Sequence, residues 1–256
     1  MDSGPEQAPI LVEAPSASLW SAHKRRPAFL LVLVIGLVLF LIWLPDGARA
    51  SLSTALSAQR GLAGLLFLFA LVTLSLIWSA GQRLDSRVFL LFNLRVYHSR
   101  WLNGFMFLAT QLGNMLAAFI AAFVFFLLNY RRLAVEVIFG TLTLWLLVET
   151  IKALAIRDRP FLTLKEARVI GWREKGDSFP SGHTAQTFFL MTLLSHWFQI
   201  GIGGTVALYA VAALVGFTRV YVGAHYPRDV IGGAVLGSIW GVLAMLVDPF
   251  LLGLRF

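Results

Sequence analysis

Three short segments of this sequence set imidazole, guanidinium and ammonium groups beside helix-breaking residues. In Phe179-Pro180-Ser181-Gly182-His183 a turn opens onto an apolar run from Thr184 to Ile202, so it reads as the N-terminal edge of a buried helix. The unpaired amides of a first helical turn and the positive end of the helix dipole suit that edge to an anion, and Gly182 lets a ligand approach the backbone. Lys152 and Arg159 stand seven residues apart, two helical turns, which puts both on one face of a helix that Pro160 then stops. His225 precedes Pro227, a residue suited to a first helical turn, and Asp229 follows about one turn along, where it can accept a hydrogen bond from one imidazole nitrogen. Such a bond fixes the tautomer and leaves the other nitrogen as a nucleophile, with His183 available as general acid for a leaving oxygen.

Taken singly, each residue has a bland reading as a packed interfacial histidine or a headgroup anchor. The elements that carry them change this. Of the 256 residues 58% are hydrophobic and only 13% charged, and the mean hydropathy is +0.78, far from the roughly one-quarter charged composition of a soluble domain. The chain is therefore read as an all-α, polytopic transmembrane helix bundle. Lys24-Arg25-Arg26 precedes a first apolar run, Ala28 to Leu44, too long for a signal-peptide core and read as a retained span. Further spans run over Gly61 to Ala80, Gly104 to Asn129, Leu133 to Ala155, Thr184 to Ile202, Gly203 to Tyr221 and Val230 to Val247, giving six to seven in all. Between the second and third, Gln82 to Leu102 sets arginines among apolar residues, the pattern of an amphipathic helix at the interface. Residues 1–27 read as a disordered tail, 28–80 as N-terminal spans and 81–256 as the membrane domain that carries the chemistry. The parity of the intervening spans places all three segments at one membrane face.

Polar residues inside the spans are expensive and face protein or water. Gln111 and Asn114, three apart, share a face toward the bundle and are expected to make an interhelical hydrogen bond. Glu149 lies three residues before Lys152, within reach of an ion pair that orients the lysine. Gly233, Gly237 and Gly241 form a small-residue stripe for close helix packing. There is no cysteine, which excludes disulfides and thiolate chemistry, and the sequence offers no metal-binding cluster: His23 and His98 read as interfacial, His196 as a packing residue, and Asp158, Asp177 and Asp229 stand among cations. The formal charge of +8 sits at span ends and around the histidine turn, which fits anionic headgroups better than nucleic acid.

Together the segments resemble the signature of the type 2 phosphatidic acid phosphatase family (PAP2), related in its site to vanadium haloperoxidases: Lys-x6-Arg-Pro, Pro-Ser-Gly-His and Ser-Arg-x5-His-x3-Asp. They stand here as Lys152 to Pro160, Pro180 to His183 and Arg219 to Asp229, with Thr218 in place of the serine. The resemblance covers about Asp85 to Val247. It implies an integral membrane lipid phosphatase in which His225 attacks phosphorus to form a phosphohistidine and Asp229 orients it. His183 would protonate the leaving group and then activate water. Lys152, Arg159, Arg219, Ser181 and the Gly182 amide would hold the phosphoryl oxygens, with no metal and no cofactor. Candidate substrates are polyprenyl pyrophosphate such as undecaprenyl pyrophosphate, phosphatidate and phosphatidylglycerophosphate, held under the loop Phe161 to Phe179. Alternatives are a lipid phosphotransferase with a polyprenyl pyrophosphate donor, a haloperoxidase, and a non-catalytic lipid-binding or transport protein. The location implied is a cell (inner or plasma) membrane. Charge placement alone would turn the site to the cytoplasm, whereas the resemblance turns it outward.

Overall fold

The computed structural model describes residues 57–96 and 99–251, with isolated positions between 35 and 54. The chain divides into two compact units, Met1–Pro45 and Asp46–Phe256, and the second is described here. The expected tail, His23, His98 and nearly all of the run from Ala28 to Leu44 lie outside the described residues.

The described residues form helices and no strand: α1 (Arg60–Ser75), α2 (Ser79–Leu94), α3 (Arg100–Thr110) with a 3-10 turn at Gln111–Gly113, α4 (Met115–Leu127), α5 (Arg131–Ala155), the single turn α6 (Pro160–Thr163), α7 (Gly182–Trp197), α8 (Ile202–Tyr221) and α9 (Pro227–Leu251). Three of these are long and apolar enough to cross a membrane, α5 with its extension, α8 and α9; the bent pairs α1–α2 and α3–α4 bring the number to five if each pair is one span.

Two expected spans are broken, each by a polar side chain. The run expected to reach Ala80 stops at Ser75, where Arg228 donates to the Ser75 carbonyl at 2.5 Å, satisfying a helix-end acceptor, and α2 leaves at 95° to α1. Along α2 the positions Gly81, Asp85, Phe89 and Asn93 are buried while Arg83, Arg87 and Arg95 are exposed, so one stripe of the helix packs on the bundle. This is the amphipathic helix expected after Gln82, ending at Leu94 instead of Leu102. The run Gly104 to Asn129 bends by 62° at its middle. Asn114 causes this: its Oδ1 accepts from the Ala117 amide at 2.8 Å and caps α4, while its Nδ2 donates to Gln111 Oε1 at 3.1 Å. The pair expected to bond across helices thus bonds within the break, the local competition that makes asparagine a helix starter.

At the centre α7 packs on α9 through the glycine stripe. A β-carbon at Gly237 would lie 2.1 Å from the Ala185 carbonyl oxygen, and one at Gly233 2.5 Å from that of Ser181, so only glycine permits this approach. Around the pair, Leu133, Val137, Leu144 and Val148 of α5 join Phe189 and Leu193 of α7 in the main core. The outward faces carry Phe123, Phe139, Leu146, Ile202 and Val206 exposed, an apolar surface suited to lipid rather than water.

Candidate active site

The three segments meet at the end of the bundle where α5 and α8 finish and α7 and α9 begin. Lys152 lies in the last turn of α5. The helix ends at Ala155, Ile156 takes a left-handed conformation with φ 45°, and residues 157–159 run on to Pro160, the first residue of α6. Lys152 and Arg159 therefore do not share a helical face; a residue before proline is driven to extended backbone, and Arg159 has φ −74° and ψ 155°. Both still line one cavity of about 340 Å³, with Gly182, His183, His225 and Glu174.

Behind His225 lies a wall of buried charges. The imidazole is 1% exposed, and its Nδ1 is 2.8 Å from the Ser178 carbonyl oxygen but 3.8 Å from Asp229 Oδ2. The expected Asp229–His225 hydrogen bond is thus replaced by one to a backbone carbonyl. Asp229 is otherwise engaged: Oδ2 accepts from Ser178 Oγ at 2.5 Å and from the Tyr226 amide at 2.8 Å, which caps the start of α9, and Oδ1 pairs with Arg157. Arg157 also pairs with Asp85 of α2, donates to Gln82 Oε1 at 2.9 Å and stacks over Tyr226 at 4.5 Å. Arg228 reaches the same Asp85 at 3.1 Å. Asp85, Arg157 and Ser178 were not among the expected site residues. Asp85 could have been found as the lone acid in the buried stripe of α2, where an ionisable group needs a partner. Burial pushes the His225 imidazole down to about 4 against the opposing pull of Asp229, so it is neutral at neutral pH.

In front of His225 the chemistry is cationic. Nε2 lies 3.4 Å from Arg159 Nη1 and 3.8 Å from Glu174 Oε2. Arg159 is held by the carbonyls of Gly176 at 3.0 Å, Lys175 at 3.2 Å and Ala224 at 3.2 Å, and donates to Glu174 at 2.8 Å. Arg219 donates to Thr110 Oγ1 at 2.8 Å and pairs with the other oxygen of Glu174; its Nε is buried without a partner among the described residues. Arg219 and Glu174 face a second cavity of about 230 Å³, which shares His183 and Asn114 with the first. Burial alone would raise the Glu174 carboxyl, but the surrounding cationic groups, Arg219 foremost, hold it well below the usual range.

Lys152 pairs with Glu149 at 2.7 Å as the spacing suggests. A β-carbon on Gly182 would meet only Val148, at 3.6 Å, so the space at this helix start is open. Ser181 lines neither cavity: it is fully buried, its Oγ accepts from Thr184 at 2.9 Å and its amide donates to the Asp229 carbonyl at 3.0 Å. The carboxylates that meet Arg157 and Arg159 are Asp85, Asp229 and Glu174 rather than the adjacent Asp158, and His196 is exposed near the end of α7 rather than packed. Among the described residues no group of acids and histidines is placed to hold a metal. The larger cavity has an apolar flank formed by Met115, Leu144, Trp145 and Val148.

Known proteins resemble this chain in sequence and fold. The chain is 26% identical over 191 residues to an undecaprenyl-diphosphatase of Sulfolobus acidocaldarius, covering 72% of this chain and 89% of that one. A lipid A 1-phosphatase of Rhizobium johnstonii is 43% identical over 74 residues, 28% of each chain. The crystal structure of a transmembrane PAP2 type phosphatidylglycerolphosphate phosphatase from Bacillus subtilis superposes with a TM-score of 0.61 at 23% identity, over 76% of this chain and 98% of that one, a likeness of fold. The family model described as PAP2 superfamily matches residues 133–251. That stretch holds all three motif segments, and it is similar to the PAP2 superfamily.

Proposed function

We propose that the protein is an integral membrane lipid phosphatase that hydrolyses a lipid phosphate monoester or pyrophosphate through a phosphohistidine on His225. The observation that carries this reading is the buried imidazole whose Nε2 faces Arg159 in a cavity with an apolar flank. Nε2 donates its lone pair to phosphorus as the bond from phosphorus to the lipid-side oxygen breaks. His183, on the same cavity, gives that oxygen its proton. The hydrogen bond of Nδ1 to the Ser178 carbonyl and the nearby Asp229 carboxylate stabilise the positive charge that develops on the ring. Water then attacks phosphorus, His183 takes its proton, and inorganic phosphate departs from Nε2. Arg159, Arg219, Lys152 and the Gly182 amide hold the non-bridging oxygens, and such positioning and charge stabilisation account for most of the catalysis of phosphoryl transfer.

The names of the relatives support polyprenyl pyrophosphate and phosphorylated lipids as substrates, and the apolar flank supports a lipid tail. The same reading takes the chain as six or seven spans: α7, at 16 residues about 24 Å long, adds one to the five, and the run from Ala28 to Leu44 another. It places the protein in the plasma membrane with the site outward. The test is phosphate release in detergent from undecaprenyl pyrophosphate, phosphatidate and phosphatidylglycerophosphate, with chelator present and no acceptor lipid. Wild type is expected to release phosphate, to be inhibited by vanadate and to lose at least about a thousandfold in rate on His225→Ala. A His225→Ala protein that retained wild-type turnover would remove the nucleophile from the scheme.

A further inference from the structure

Glu174 belongs neither to the three motif segments nor to the buried wall behind His225. It lies on the loop between α6 and α7, where the chain is neither helix nor strand, yet its two oxygens bridge Arg159 and Arg219 and one of them lies 3.8 Å from His225 Nε2. That is the location a phosphoryl group must take to be attacked by Nε2, given that reacting atoms approach to about 3–3.5 Å before reaction. Three further features mark the carboxylate as exchangeable. Its side chain is 32% exposed while those of Arg159 and Arg219 are 2% and 3% exposed. Each arginine keeps other partners, backbone carbonyls for Arg159 and Thr110 for Arg219, so both stay in place when the carboxylate leaves. The buried Arg219 Nε has no partner among the described residues, leaving a donor that two carboxylate oxygens do not fill and a third phosphoryl oxygen could.

We propose that Glu174 is a specificity-determining residue, an internal anion that holds the phosphoryl position and is displaced only by a group of greater charge. A phosphate or pyrophosphate dianion outcompetes a single carboxylate for two guanidinium groups, whereas the monoanionic phosphodiester of an ordinary membrane phospholipid does not. The bulk lipids that surround the site at high concentration are thereby kept out. This rests on the phosphatase reading, and binding read without turnover separates the two.

The experiment compares wild type with Glu174→Gln and with Glu174→Asp, which keeps the charge. Binding of inorganic phosphate and vanadate is followed by thermal shift. KM and kcat are measured on a phosphatidate substrate, and inhibition by phosphatidylglycerol, a diester, in mixed micelles. Glu174→Gln is expected to bind both anions about tenfold tighter, to lower KM, to slow kcat through tighter product binding and to become sensitive to phosphatidylglycerol. Glu174→Asp, which is too short to bridge both arginines, is expected to show about a threefold effect of the same sign and serves if the Gln variant fails to fold. Unchanged anion affinity in both variants overturns the proposal, as does a hundredfold loss of kcat with unchanged binding, which would make Glu174 an acid or base in the reaction. If wild type binds phosphate in competition with Glu174 but hydrolyses no lipid, the phosphatase reading fails while the displaced carboxylate stands.

Discussion

Arg157 and Arg159 are two residues apart in one extended stretch, both buried, and they do opposite things. Arg157 faces the wall behind His225, where Asp85 and Gln82 of α2, Asp229 of α9 and the ring of Tyr226 hold it. Arg159 faces the cavity, where its carboxylate partner comes from a loop and is partly exposed. Alternation along extended backbone would point positions two apart alike, but Pro160 starts α6 immediately after Arg159 and the two guanidinium groups part. One arginine contributes to a structure that stays charged and paired throughout, and the other presents a charge to whatever anion occupies the site.

The largest expected effects separate these two roles. Arg157→Met leaves Asp229 without its cationic partner in a buried site, a loss of about 3–5 kcal/mol in stability, and it cuts activity as the wall beside His225 loses its charge balance. Arg159→Met removes a proposed phosphoryl-holding donor and is expected to cost about a hundredfold to a thousandfold in kcat/KM, with a smaller fall in Tm than Arg157→Met. Thermal melts in detergent alongside phosphate-release assays on both variants decide the matter. If Arg159→Met destabilised the protein as much as Arg157→Met while sparing turnover, the distinction between wall and cavity would collapse.

A second expectation concerns pH and the histidine that separates the two regions. The His225 imidazole is lowered by burial to about 4, below the ordinary value of about 6.5, so between these values the unfolded chain binds a proton that the folded protein refuses. Its contribution is fully present above pH 6.5 and is lost as pH falls toward 4, a difference of roughly 3 kcal/mol. As the proposed nucleophile, His225 stays unprotonated down to the same region, so the acid limb of kcat/KM due to it is expected near pH 4, not near 6.5. Melts of wild type and His225→Gln from pH 4 to 7 isolate this contribution: the stability gap between them should narrow as pH falls. A gap independent of pH would mean the imidazole is not held neutral by its burial.

What was legible in the sequence and what was not follows the same division. The spacing of Lys152, Arg159, His183, Arg219 and His225 was enough to foresee that they meet, because apolar runs between them bring their ends to one face. The helix ends were less legible where a distant group decides them. The stop at Ser75 depends on Arg228, 153 positions away, and no local pattern announces it. The bend at Asn114 is local, and capping chemistry could have found it. The wall was hidden because its charges cancel only when α2 meets α9; along the chain Asp85 stands out as the lone acid among Arg83, Arg87 and Arg95, but nothing there names Arg157 and Arg228 as its partners. The partner of His225 Nδ1 is a backbone carbonyl, a group that every residue carries and no side-chain pattern reveals, so the carboxylate one turn along was the natural but mistaken choice for that bond. Glu174 lies in a loop, where neither period nor parity constrains the side chain.

The smallest expected effect comes from a second glutamate on the same cavity. Glu149 pairs with Lys152 much as Glu174 pairs with two arginines, but its side chain is 47% exposed and its partner is a single lysine on its own helix. An exposed pair of this kind contributes about 0–1 kcal/mol, and water and salt screen the charge from the phosphoryl position. Glu149→Gln is therefore expected to leave Tm within about a degree or two and to lower KM about twofold at low salt, with the difference vanishing at high salt. Glu174→Gln should instead keep most of its tenfold effect in salt, because the guanidinium groups it releases are almost fully buried. Measuring phosphate inhibition of both variants across a salt series gives the comparison directly. Equal effects with equal salt dependence would show that the cavity senses only net negative charge at its edge, and that bridging Arg159 and Arg219 confers no special place on Glu174.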